Sequence, residues 1–175
     1  TGASTYFMPL APGFHKEFDD ENSCCHGTGL ENHFKYAESI YFQNADNVYV
    51  NLFVPSSLKE DELTIVQEET EEEPGKVRLS VRGTKVFTLK VRVPYWCGNC
   101  YQVWVNGAEQ QIDTGADGYL EIKADWKNEV IVEIHFACRY RLERTSDVPD
   151  TAAVLYGPYV LAALTDMNEY LQLHL

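Results

Sequence analysis

Apolar and polar residues follow two different periods along this chain, and the change comes at Ser39. From Leu30, apolar positions recur at Phe34, Ala37 and Ile40 or Tyr41, the three-to-four spacing of one helix face. Thr28 and Glu31 stand three apart, as a capping box requires, so the spacing predicts a helix beginning just after Thr28. After Ser39 the period is two. "VYVNLFV", "LTIVQEET", "VRLSVRG", "FTLKVRVP", "YQVWVNG", "YLEIK" and "EVIVEIHF" are rich in Val, Ile, Tyr and Phe, with turn-forming clusters such as "PGK", "NGAE" and "TGADG" between them. "RYRLER" and "AAVLYGPYVLAAL" extend the series. Gly157-Pro158 would break a helix, so the last piece reads as two extended segments joined by a turn or bulge. Many short strands at regular spacing predict a mainly β protein, a β-sandwich behind a short loop-helix segment. No internal repeat is visible.

At 175 residues the chain can bury one real core. Its 45% hydrophobic content is that of a globular protein. Fourteen Lys and Arg stand against 27 Asp and Glu, a net charge of −13. That balance argues against nucleic acid or an anionic membrane as partner, since both need clustered basic residues. No apolar run approaches the ~20 residues that span a bilayer. The opening "TGASTYFMPLAPGF" has no signal-peptide pattern and is turn-rich, so the chain reads as a piece of a longer protein. The acidic run Glu68 to Gly75 reads as a solvated hairpin tip rather than a cation site. Trp96, Trp104 and Trp126 lie in or beside strands. Aromatic platforms for a glycan are one use for them, and core packing of at least two is the other.

The five cysteines are an odd number and form no closed disulfide framework. Cys138 reads as a strand residue acting as a small hydrophobe. Cys97 and Cys100 form a CxxC between two strands. That placement differs from a redox motif at a helix start and points to a loop disulfide or two free thiols. Cys24 and Cys25 are adjacent, in "SCCHGTGLENHFKY". Their Cα atoms lie ~3.8 Å apart, below the roughly 4.4–6.8 Å of ordinary disulfides, so they make poor partners for each other. Beside a helix N-terminus the partial positive charge favours thiolates. Gly27 and Gly29 allow close backbone approach. Two soft anions suit zinc, with His26 or His33 as a further ligand and the remainder from elsewhere. Two buried, inert thiols are the competing reading.

"SCCHGTGLENHFKYAESIYF" followed by "VYVNLFVPS" resembles glycoside hydrolase family 127, the β-L-arabinofuranosidase-like enzymes. "LKVRVPYW", "VWVNG", "GYLEI" and "LYGPYVLA" match further family signatures in the expected order, from about Tyr6 to Leu164. The resemblance implies that residues 1–42 are the end of an (α/α)6 catalytic barrel and residues 43–175 a β-sandwich domain. It implies a retaining hydrolase acting on L-arabinofuranosides or related plant glycans, with Cys24 as catalytic nucleophile and zinc ligand and Cys25 as a second zinc ligand. The general acid/base glutamate and the other zinc ligands, a Glu and a Cys, would lie upstream of Thr1, so this piece alone is expected to be inactive. The upstream barrel is then its partner. The chain departs from the family pattern at Cys97 in "WCGNC", at "WKNEV", and at His26-Gly27-Thr28 in place of Pro-Pro-Asn, which points to a different branch. A stand-alone sandwich that binds carbohydrate, through Trp96 and Trp126, or serves structurally, is the alternative.

Overall fold

A computed structural model of the chain describes residues 24–68, 70, 74–148 and 150–164, with side chains from Gly27 onward. Helix α1 (Cys24–Ala37) leads into two facing sheets. The first has four strands in the order β1 (Tyr41–Gln43), β2 (Asn47–Val50), β6 (Thr88–Arg92) and β9 (Tyr119–Ile122). The second has six, β3 (Ser56–Glu60), β4 (Leu63–Gln67), β5 (Lys76–Gly83), β10 (Val130–Phe136), β7 (Tyr101–Val105) and β8 (Ala108–Gln110). Among the described residues every strand pairing is antiparallel except β2 with β6, in register Asn47 with Thr88. A parallel pair needs a crossover, and here β3, β4 and β5 supply it by passing through the opposite sheet.

The period-two pattern fixes which side of each strand faces inward. Val130, Val132, Ile134 and Phe136 of β10 point into the same core as Val77, Leu79 and Val81 of β5 and Leu63 and Ile65 of β4. Val48, Val50, Leu89, Val91, Leu120 and Ile122 meet them from the first sheet. The result is one continuous apolar layer between two sheets, the sandwich that the strand series predicts. Trp126 closes one edge of it. Its ring stacks on Phe87 at 4.9 Å, and Nε1 donates to the Phe87 carbonyl at 2.8 Å. At 2% exposure it is a core residue and no glycan platform.

Four local expectations change. Cys138 lies in the loop between β10 and β11 and not in a strand. The helix begins at Cys24, so the cysteine pair opens its first turn and Thr28 lies inside it instead of capping it. Once a helix is nucleated, each added residue gains a hydrogen bond, and Thr28 offers no obstacle to that extension. "NLFV" leaves the sheet after Val50 as a loop. The Asn51 N–H donates to the Ile40 carbonyl at 2.8 Å instead of to a ladder partner. Strands β1, β3 and β8 form where no alternation predicts them. Each lies at a sheet edge, where a polar sequence such as "SSLKE" is tolerated and protects against mispairing.

A third sheet, β11 (Tyr140–Arg144), β12 (Ala152–Tyr156) and β13 (Tyr159–Val160), follows the sandwich. Gly157-Pro158 makes the turn between β12 and β13, as expected. Arg141 ties this sheet together and to the sandwich. Its guanidinium donates to the Gly157 carbonyl and pairs with Glu143 at 2.9 Å. It also lies over the Tyr95 ring, 5.3 Å from its centre.

On the outer side of the first sheet, Lys90 pairs with Asp117 at 2.7 Å and Glu121 at 2.9 Å. Hydrogen bonding to these carboxylates raises the Lys90 ammonium above its ordinary range, and Lys90 holds the Asp117 carboxyl below its own. The carboxyl therefore contributes stability that is present above its unfolded value of ~3.9 and is lost as pH falls through the folded one. The ammonium contributes stability that is present below ~10.4 and is lost as pH rises through its folded value. Lys90→Met should lower the urea midpoint at neutral pH. The gap to the parent chain should narrow below about pH 4, which a pH series of urea midpoints checks.

Candidate functional site

Cys24 and Cys25 occupy the first two positions of α1. Their side chains, and that of His26, lie outside the described residues, as does the segment 1–23 before them. The first turn of a helix leaves its backbone N–H groups without intrahelical partners. Gly27 and Gly29 follow at once, and a Cβ on either would meet no described atom within 4 Å. Among the described residues the helix is anchored at its far end. Ile40 is buried, its carbonyl accepts from the Asn51 N–H, and Asn51 Nδ2 donates to the Ser39 carbonyl at 3.3 Å. All of Gly27 to Glu38 is exposed, with Leu30 at 65% and Phe34 at 80%. His33 lies edge-on to Tyr36 at 6.0 Å. Among the described residues no three of His, Cys, Asp and Glu gather in a metal-binding group.

Asn51 connects the helix anchor to a cleft at one end of the sandwich. Its carbonyl accepts from Arg92 Nε at 2.6 Å, and its Oδ1 accepts from the Tyr119 hydroxyl at 2.9 Å. The cleft, about 500 Å³, is walled by Phe53, Trp96, Phe136 and Tyr159, with Gln67 and Arg92 among its polar groups. Gln67 is 5% exposed and donates through Nε2 to the Leu52 carbonyl at 3.0 Å and to Tyr41 at 3.2 Å. Arg92 lies over the Phe53 ring at 5.5 Å, and Trp96 stands edge-on to Phe136 at 6.2 Å. Sequence reasoning singled out Trp96 alone of these. Gln67 and Arg92 come from strands of different sheets, and no spacing in the chain announces their meeting. Trp104 is engaged elsewhere, against His135 at 4.6 Å.

The CxxC runs from the last residue of a 3-10 turn, Tyr95–Cys97, to the start of β7, far in sequence from the helix. Cys97, Cys100 and Cys138 are free thiols. Burial pushes the Cys97 and Cys138 thiols up. The acidic connection between β4 and β5 is described only in part. Glu68 pairs with Arg78 at 2.8 Å, and residues 69 and 71–73 lie outside the described set.

Comparison with known proteins places this arrangement. Residues 47–138, more than half of the chain, match the family described as β-L-arabinofuranosidase, GH127 middle domain. No curated protein sequence matches the chain. Among solved structures it is similar to a GH127 β-L-arabinofuranosidase from Geobacillus stearothermophilus T6. The identity is 26% and the TM-score 0.67, over 82% of this chain and 24% of that one. It is also similar to a GH127 β-arabinofuranosidase at 28% identity and TM-score 0.73, over 91% of this chain and 29% of the other. A further glycoside hydrolase, at 24% identity and TM-score 0.71, covers 90% of this chain and 28% of its own and shares the fold. The chain thus spans less than a third of the solved relatives.

Proposed function

The chain belongs to the GH127 β-L-arabinofuranosidase family through its middle domain, and from that premise we propose that it is one part of a retaining glycoside hydrolase for L-arabinofuranosides or related plant glycans. Its sandwich is a support, and the first turn of α1 carries the reacting group. The observation that bears this reading is the placing of the cysteine pair. It opens a helix that leaves the sandwich, exposes Leu30 and Phe34, and has no described residue against its Gly27 and Gly29 side. Such a helix suits an upstream barrel domain of the same polypeptide, which would cover the apolar residues and complete the site around the thiols.

In this reading Cys24 is the nucleophile. A retaining glycosidase forms a covalent glycosyl-enzyme and then hydrolyses it. The Cys24 thiolate attacks the anomeric carbon as the bond to the leaving oxygen breaks, and a carboxylic acid from the upstream domain protonates that oxygen. The same group then takes a proton from water as water displaces the sulfur. Attack requires a thiolate at working pH, and the helix N-terminus favours one. Zinc fits the donor set, since Cys24 and Cys25 offer two soft thiolates, and its chemistry when bound is to keep thiols deprotonated at neutral pH. Upstream side chains supply the other ligands.

The isolated 175-residue chain should release no arabinose from β-L-arabinofuranosides, because it lacks the acid. The whole protein should hydrolyse them. Measuring both with one chromogenic arabinofuranoside tests the reading. Sugar release by the isolated chain, or none by the whole protein, would contradict it.

A further inference from the structure

Three thiols gather at one corner of the sandwich, and the backbone holds two of them in a fixed relation. Gly98 and Asn99 both have positive φ, 58° in each case. The Cys100 N–H donates to the Cys97 carbonyl at 3.0 Å. Two left-handed central residues closed by that hydrogen bond make a type I′ turn, whose end Cα atoms lie within ~7 Å. Disulfides bridge Cα separations of roughly 4.4–6.8 Å. Gly and Asn adopt the left-handed conformation at least cost. "WCGNC" therefore encodes a turn that delivers Cys97 to Cys100.

The surroundings assign different parts to the three sulfurs. Cys138 is wedged between two glycines. A Cβ at Gly75 would stand 3.0 Å from its Sγ, and one at Gly157 2.5 Å, so this thiol fills a packing slot. Cys97 is fully buried and donates from Sγ to the Pro94 carbonyl at 3.0 Å. Cys100 is partly exposed, and its Sγ accepts from Arg139 Nη2 at 2.9 Å. A part-exposed sulfur beside a fixed positive charge is the setting of reactive cysteines.

We infer that Cys97 and Cys100 form an oxidative modification site, which closes a disulfide across the turn when a low-molecular-weight disulfide is the oxidant. The Cys100 thiolate attacks one sulfur of the oxidant, whose S–S bond breaks to release one thiolate, leaving Cys100 in a mixed disulfide. Cys97 then loses its proton, gives up its bond to Pro94, and attacks Cys100 Sγ, expelling the second thiolate. Two protein thiols are oxidised to one disulfide, and one small disulfide is reduced to two thiols. The link pins the Tyr95–Cys97 turn and with it Trp96 at the wall of the cleft. None of this depends on the hydrolase reading.

The test treats the full chain with oxidised glutathione, blocks remaining thiols with iodoacetamide, and maps tryptic peptides without reduction. Cys97 and Cys100 share the peptide 93–123, Cys138 lies in 128–139, and the Cys24–Cys25 pair in 17–35. Peptide 93–123 should appear unalkylated and lighter by two hydrogens, with Cys138 alkylated. Cys138→Ser should leave that result unchanged. Cys97→Ser should leave Cys100 as a stable mixed disulfide with glutathione. The inference fails if both thiols of 93–123 are alkylated, if 93–123 is cross-linked to 128–139, or if Cys100 of the unsubstituted chain stops at the mixed disulfide.

Discussion

Replacing Cys24 by serine in the whole protein should abolish arabinofuranoside hydrolysis while leaving the sandwich folded. A serine hydroxyl matches the thiol in size but stays protonated where a thiolate ionises. Without a neighbouring base it is a weak nucleophile. Loss of a covalent nucleophile removes an interaction made only along the reaction path, so the fall should appear in kcat, by about 10³-fold or more. The fold should not notice. The helix carrying Cys24 is exposed from Gly27 to Glu38 and, among the described residues, joins the sandwich at Ser39, Ile40, Asn51 and Leu52. An unchanged urea midpoint for the sandwich with lost turnover is the expected pair of results. Cys25→Ser should lower the zinc content of the whole protein, which elemental analysis measures independently of activity.

The opposite pattern should follow from Trp126→Ala. This residue lies far in sequence from the cysteine pair and is 2% exposed. Its truncation removes a stacked contact with Phe87, leaves the Phe87 carbonyl without its indole donor, and opens a cavity. Buried Trp-to-Ala changes cost about 3–5 kcal/mol. That is a large share of the stability of an ordinary domain, about 5–15 kcal/mol. Trp126→Phe keeps an aromatic ring and loses chiefly the hydrogen bond, so it should cost less, about 1–3 kcal/mol. Urea unfolding of the two variants followed by circular dichroism checks the order and the sizes. If Trp126 were instead a surface platform for a glycan, neither change would alter the unfolding free energy by more than about 0.5 kcal/mol.

Regular alternation made most of the sandwich readable from the chain. Burial alternates along β4, β5 and β10, and the side that period two assigns inward is the buried side in each, although Gln67 is polar on that side and Val66 and Ile131 are apolar on the other. The errors have physical causes. "NLFV" is apolar enough for a strand, but Asn51 spends its backbone and side chain on Ile40, Ser39, Arg92 and Tyr119, and the segment leaves the ladder. β3 offers the core only Leu58 and is otherwise polar, which an edge strand with one side of its backbone paired tolerates. The parallel β2–β6 pair leaves no local signal, since its partners are separated by three strands of the other sheet. Thr28 and Glu31 have capping chemistry, yet the helix runs through them, because a capping residue is a preference worth about 1 kcal/mol and not a stop.

The candidate site was legible to different depths. Adjacent cysteines at a helix start stand out because ordinary disulfide geometry excludes them as partners. The cleft does not stand out, because Phe53, Gln67, Arg92 and Trp96 meet only after both sheets have formed. Trp126 and Trp96 look alike in sequence. The indole of Trp126 is buried on Phe87, whereas Trp96 keeps part of its surface at the cleft.

The central claim, that Cys24 becomes covalently glycosylated during turnover, has one direct measurement. The whole protein is mixed with a slowly hydrolysed β-L-arabinofuranoside, quenched in acid during turnover and digested with trypsin, and peptide 17–35 is fragmented by mass spectrometry. The account predicts an arabinosyl adduct on Cys24, with none on Cys25, and product released with the substrate's anomeric configuration. Turnover with an unmodified peptide and an inverted product would contradict it.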